Sequence, residues 1–188
     1  MKIELVIGDI TEQPDLDAVV NAANSTLCGG GGVDGAIHRA AGPQLLDAVI
    51  ANIPTIAGGN MRCPTGHAIV TPAFNLPNDY IIHTVGPIYK DIGALESSKY
   101  LNAAYHNSLV VGINEGCESI GFPAIGTGIY GYPLEDATVV AVRAVLATGR
   151  SHSKLTVRFV CFDEANFLVY KRVLEAVNHG WEELYIFD

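Results

Sequence analysis

Asp34 and His38 stand four residues apart in NAANSTLCGGGGVDGAIHRAA (21–41), directly after four consecutive glycines. On a helix that spacing puts both side chains on one face, and a His–Asp pair is capable of acid–base work. The same face carries Ile37 and Ala41, so the preferred reading of His38 is structural. The glycines pose the sharper question, because each costs about 0.5–1 kcal/mol of conformational freedom relative to alanine. Bare backbone has a use that offsets this. With no Cβ in the way, successive N–H groups can point at a phosphate while the following helix adds its positive end. A second stretch, GTGIYG (126–131), has the same property, and two such loops suit two phosphates. For either loop taken alone the preferred reading is a tight turn. Neither is a Walker A, since no Gly-Lys-Ser/Thr follows, and GGGGVDGA does not make a dinucleotide fingerprint.

The remaining polar residues each have an ordinary reading. Asp9, two residues before Thr11, is a turn former. Asn21 and Asn24 sit at strand and loop boundaries, where Asn21 could brace the loop backbone. Asp34 fits an N-cap for a helix beginning at Gly35 or Ala36, worth ~1 kcal/mol. Phe162 could be core, and Tyr130 a surface aromatic. His83, in the middle of YIIHTVGP, reads as a satisfied core histidine. Cys63 and His67 have a spacing zinc could use, but no further ligands stand at motif spacing, so no resident metal is expected.

The elements that must position these residues alternate. Short apolar runs at 3–7 and 17–22 read as buried strands, and the segment after the glycines as one broken helix or two short ones with Pro43 at a first helical position. HAIVTPAF (67–74) and YIIHTVGP (80–87) are strands separated by a turn, followed by a helix from about Leu95 to Glu115. A strand beginning at 119 runs into the second glycine loop. A helix over 134–148, a strand over 155–162 and a helix from about Glu164 to His179 complete the series. This pattern predicts a three-layer α/β/α sandwich with a central mixed, largely parallel sheet, in which 67–87 supplies an antiparallel element. Residues 1–188 are expected to form one domain, with WEELYIFD (181–188) a terminal strand or a docked tail. Ligands in such sheets collect at the carboxyl ends of strands, where GDIT (8–11), both glycine loops and CFDE (161–164) all fall.

Apolar residues make up 49% of the chain and charged residues 16%, which is far from the composition of disordered segments. The net charge of −9 and the absence of any Lys/Arg run make nucleic acid an unlikely partner. A phosphate ligand must then be held by backbone N–H groups. Four widely separated cysteines, no secretory signal and no apolar run of the ~18 residues a membrane span needs point to free thiols, no membrane partner and a cytoplasmic location.

Five stretches in order carry a resemblance: GDIT, VVNAANSTLCGGGGVDGAIHRAAG, CPTGHAIVTPAFNLPNDYIIHTVGPIY, FPAIGTGIYGYP and VCFDEANFLVYKRVL. From about residue 2 to about residue 175 the chain resembles the macrodomain family, in particular its MacroD-like class, which includes bacterial O-acetyl-ADP-ribose deacetylases. The resemblance implies the macrodomain fold and a site for ADP-ribose or O-acetyl-ADP-ribose, with no cofactor. Asp9 would accept a hydrogen bond from the adenine amino group, with Ile10 beside it. Gly30, Gly31, Gly32 and Val33 would wrap the pyrophosphate together with Gly126, Thr127, Gly128, Ile129 and Tyr130. Phe162 would lie against the adenosine end, and Asn21 is counted with these substrate-binding residues. Asn24, clamping the distal ribose, and Asp34, orienting a water, form the catalytic pair. Some relatives bind zinc near the glycine loop, which draws attention to Cys28. Cys28 and the C-terminal WEELYIFD are this chain's departures from the family pattern.

The implied activity is hydrolysis of ADP-ribose derivatives, releasing acetate from O-acetyl-ADP-ribose or mono-ADP-ribose from acidic side chains of proteins. A carboxylate beside a bound pyrophosphate lies in a negative field that raises its pKa and helps it take a proton. Two alternatives remain open: a reader that binds ADP-ribose without turning it over, and a regulator of a ribonuclease or other partner. The Asn24–Asp34 pair favours the enzyme.

Overall fold

The computed structural model describes residues 1–56 and 58–177 and the backbone of 184–187. Its strands are β1 (Lys2–Ile7), β2 (Ala18–Ala23), β3 (Ala68–Pro72), β4 (Tyr80–Val85), β5 (Ser119–Phe122), β6 (Thr156–Cys161) and β7 (Leu184–Phe187). Between them run α1 (Gly32–Ala41), α2 (Pro43–Asn52), α3 (Tyr89–Asn114), α4 (Leu134–Gly149) and α5 (Glu164–Val177). The strands form one sheet in the order β3-β4-β2-β5-β6-β1-β7. Every neighbouring pair is parallel except β3 with β4. This is the mixed, largely parallel sandwich that the alternation of elements predicts.

Both faces of the sheet are covered, which is why its central strands read as continuous apolar runs. Side chains two residues apart share a face. Val20, Ile82, Ile120 and Phe122 pack with Leu101, Tyr105, Leu109, Val142 and Val145 of α3 and α4. Val19, Ala23, Ile81 and Val85 pack with Ile37, Ala41, Leu45 and Val49 of α1 and α2. Asn21 in β2 and His83 in β4 share the parity of this second set, so both are directed toward α1. They are also paired in register.

Toward the far end of that face, β1 and β6 carry charge. Glu4, 4% exposed, is bridged by Lys2 at 2.6 Å and by Arg158, which forks onto Asp15. The broken helix after the glycines is two helices, divided at Gly42 with φ 84° and restarted by Pro43. The helix expected from about Leu95 begins earlier, at Tyr89, and is interrupted by Gly93 in a left-handed conformation (φ 75°), so the expectation matches the segment beyond the break. In the terminal stretch, Leu184–Phe187 pairs with Ile3–Val6 in parallel. Residues 178–183 and 188, including the expected helix end at His179, lie outside the described residues.

Candidate functional site

A cleft of about 740 Å³ opens where the loops after β1, β2, β5 and β6 converge. Asp9 and Ile10 line it from the first loop, Asn24 and Gly30 through Asp34 from the second, Gly126 through Tyr130 from the third and Phe162 from the fourth. The structure therefore brings together every residue expected at the site except Asn21.

The glycine loop leads straight into α1. Gly31 is the N-cap and supplies no side-chain cap, so the first N–H groups of the helix are left for a ligand. Asp34 lies inside the first turn, which corrects its reading as an N-cap: the helix starts at Gly32, three residues earlier than the cap reading requires. Gly32 has φ 59°, and a Cβ on Gly35 would sit 2.5 Å from the carbonyl oxygen of Gly30. Only hydrogen at 35 lets α1 close on the loop this tightly. Opposite, Ile129 reaches across until its Cδ1 lies 3.6 Å from where a Gly31 Cβ would be. The base of that second loop hangs on one phenol: Tyr105 Oη donates to the Pro123 carbonyl and accepts from Ile125 N–H, each at 3.2 Å. Burial pushes the Tyr105 phenol up to about 12, which keeps its proton in place.

Asp34 is 3% exposed. Asn21 Nδ2 donates to its Oδ1 at 2.7 Å, and Asn24 Nδ2 approaches Oδ2 at 3.4 Å. His38 Nε2 lies 3.5 Å from Oδ1, so the structural reading of His38 needs amending: its ring faces the carboxylate. Burial raises the Asp34 pKa above the ordinary carboxylate value, opposed by the Asn21 hydrogen bond and then by His38. Tyr130 comes near enough that its phenol, raised first by burial, is raised further by the Asp34 charge. A buried carboxylate with a raised proton affinity, open on one side to a cleft, is suited to orienting a water and taking its proton.

Asn21 is corrected from substrate contact to support. It is fully buried behind Asp34, off the cleft lining, and its amide contacts Asp34 and His83 rather than loop backbone. Asp9 does make the turn expected of it, accepting from Thr11 N–H at 2.8 Å and Thr11 Oγ1 at 2.7 Å, both at Oδ1, which leaves Oδ2 for the cleft. Asn24 also shapes its own loop, accepting from Thr26 N–H and donating to the Gly29 carbonyl at 2.9 Å. Phe162 is 85% exposed and is no core residue.

Of the residues lining the cleft, Arg39 and Asn166 carry no sequence expectation, and Asp163 enters only within CFDE. Asp163 accepts from Asn166 N–H at 2.8 Å and Nδ2 at 2.7 Å, a D-x-x-N capping pattern that was visible in the sequence. His83 and Thr71, behind Asn21, left no such signal, because only the register of the sheet brings them together. Among the described residues no group of three His, Cys, Asp or Glu side chains could hold a metal, and Cys63 is a buried thiol pushed up to about 11.

The Macro domain family model matches residues 20–141. The O-acetyl-ADP-ribose deacetylase of Escherichia fergusonii is 48% identical over 174 residues, 92% of this chain and 95% of its own length. That of Klebsiella pneumoniae is 48% identical over 91% of this chain and 95% of its own. Among solved structures, the Oceanobacillus iheyensis macrodomain with ADP superposes with a TM-score of 0.85 at 39% identity, covering 92% of this chain and 90% of that one. The Trypanosoma brucei macrodomain in complex with ADP-ribose gives 0.79 at 37% identity, covering 92% and 68%.

Proposed function

The chain belongs to the Macro domain family, and from that premise we propose that it is a hydrolase of ADP-ribose derivatives, an O-acetyl-ADP-ribose deacetylase that also removes mono-ADP-ribose from acidic protein side chains. The observation that carries the reading is the placement of Asp34: a nearly buried carboxylate, steadied by Asn21 and Asn24, at the cleft between two glycine loops. The diphosphate lies against the N–H groups of Gly30 to Val33 and Gly126 to Tyr130, with adenine toward Asp9, Ile10 and Phe162. The distal ribose then meets Asn24 and Asp34. Asp34 orients a water within ~3–3.5 Å of the ester carbon and, with the ligand's own phosphate, receives its proton as the C–O bond forms. Collapse of the tetrahedral species breaks the bond to the ribose oxygen, which takes up a proton; acetate and ADP-ribose leave. The cytoplasm is the compartment this reading assigns, in keeping with four free cysteines.

Titration calorimetry with ADP-ribose, followed by incubation with O-acetyl-ADP-ribose and with a mono-ADP-ribosylated glutamate peptide, tests the reading. Micromolar binding with release of acetate or of free peptide is expected. For Asp34→Ala, turnover falls by roughly 10³-fold or more while ADP-ribose affinity stays within about threefold. Binding without product from either substrate marks a reader instead.

A further inference from the structure

Behind the cleft, four buried side chains form a continuous line from the edge strand of the sheet to the reacting carboxylate. Thr71 Oγ1 lies 3.0 Å from His83 Nε2, His83 Nδ1 lies 3.1 Å from Asn21 Nδ2, and Asn21 Nδ2 lies 2.7 Å from Asp34 Oδ1. Asn21 and His83 are fully buried, and Thr71 is 6% exposed. We propose that His83 and Thr71 are positioning residues for hydrolysis, which hold the Asn21 amide still and through it aim the Asp34 carboxylate at the cleft. This rests on the reading of Asp34 as the carboxylate that orients the water.

The polarity of the line follows from its charged end. An ionised carboxylate only accepts hydrogen bonds, so Asn21 must turn Nδ2 toward Asp34. The same Nδ2 faces His83 Nδ1, which must then offer a lone pair. The ring proton is thereby placed on Nε2, where it is donated to Thr71 Oγ1. Among the described residues Asn21 Oδ1 has no hydrogen-bond partner, so no acceptor-side hydrogen bond fixes the amide. Its orientation depends on two acceptors, Asp34 and His83. Burial pushes the His83 pKa down to about 3, assisted by His38, so the ring remains an acceptor at Nδ1 throughout the working pH range. The other groups facing Asp34 are His38 of α1, Asn24 and Tyr130 of the loops, and Arg39 lines the same cleft from α1.

The test begins with the unaltered protein. Nitrogen-15 NMR of its histidine rings is expected to show His83 as the Nε2–H tautomer with no titration between pH 5 and 8; an Nδ1–H tautomer or a titrating ring overturns the proposal. Turnover of O-acetyl-ADP-ribose is then compared across His83→Leu, His83→Gln and Thr71→Val. His83→Leu loses the acceptor, and kcat falls about tenfold with KM and ADP-ribose affinity unchanged. Because the Asn21 N–H favours ionised Asp34, the acidic limb of the pH–rate profile moves to higher pH. Glutamine, able to accept from Asn21 and donate to Thr71, restores most of kcat and the original limb. Thr71→Val, a smaller change, shifts both in the direction of His83→Leu, and it decides with the tautomer should the leucine variant not fold. Wild-type kcat and profile in the leucine and valine variants, beside an inactive Asp34→Ala, sink the positioning role alone. Full turnover by Asp34→Ala sinks the catalytic role of Asp34 on which the positioning role rests, and no product from the unaltered protein sinks the hydrolase reading beneath both.

Discussion

Burial of Asp34 raises its carboxyl pKa, against the pull of the Asn21 hydrogen bond and of His38, so the folded protein holds that proton more tightly than the unfolded chain does. The stability tied to the protonated form is fully present below the unfolded value of about 3.9 and is lost as pH rises through the folded pKa. At pH 7–8 the ionised group therefore works against the fold. Asp34→Asn is expected to raise the melting temperature at pH 8, with the gain shrinking to nothing as pH approaches 4, while turnover disappears. A melting temperature that falls at pH 8 contradicts this. The tension was only half visible in the sequence. VDGAIH announces a carboxylate and a histidine one helical turn apart, and the structure brings them to 3.5 Å. Nothing in the spacing of Asn21, Thr71 and His83 announces the line behind them, because |i−j| of 62 and 12 is bridged only by strand register.

At the level of elements, α1 and the glycine loop act as one piece, joined where Gly35 meets Gly30. Alanine in a helix interior is favoured over glycine by up to ~1 kcal/mol, so Gly35→Ala would ordinarily stabilise. Here the new Cβ lies 2.5 Å from a backbone oxygen, a contact no rotamer relieves. We expect Gly35→Ala to leave the melting temperature unchanged or lower it, and to weaken ADP-ribose binding about tenfold or more by pushing the loop N–H groups out of line, as read by calorimetry. Element types were legible along nearly the whole chain, because apolar runs and turn residues alternate cleanly. Boundaries were less so. The start of α3 was misplaced because Gly93 breaks it after its first turn, and the helix at 32 begins within a glycine run that propensity alone assigns to loop.

For the whole molecule, β1 and β6 are braced by the Glu4–Arg158 network, which also touches the first cleft loop, since Arg158 donates to Gln13 Oε1 and Gln13 Nε2 to the Asp9 carbonyl. Removing one partner of a buried ion pair costs about 3–5 kcal/mol where the other charge is left unpaired, and less where a second cation stays beside it, as Lys2 does beside Glu4. Arg158→Ala leaves Glu4 with Lys2 among the described residues and releases Asp15 and Gln13. A fall in melting temperature of roughly 5 °C is expected for a chain of this size. An unaffected melting temperature shows the network to be dispensable. The rim of the cleft has a thermodynamic signature of its own. Ile129 at 87% and Phe162 at 85% are the most exposed large hydrophobic side chains among the described residues, and both stand at the opening. Empty, the protein keeps two wet greasy jaws. A nucleotide seated between them dries both, so the heat capacity of binding should be negative, and the heat released should grow as the experiment is warmed from 10 to about 35 °C.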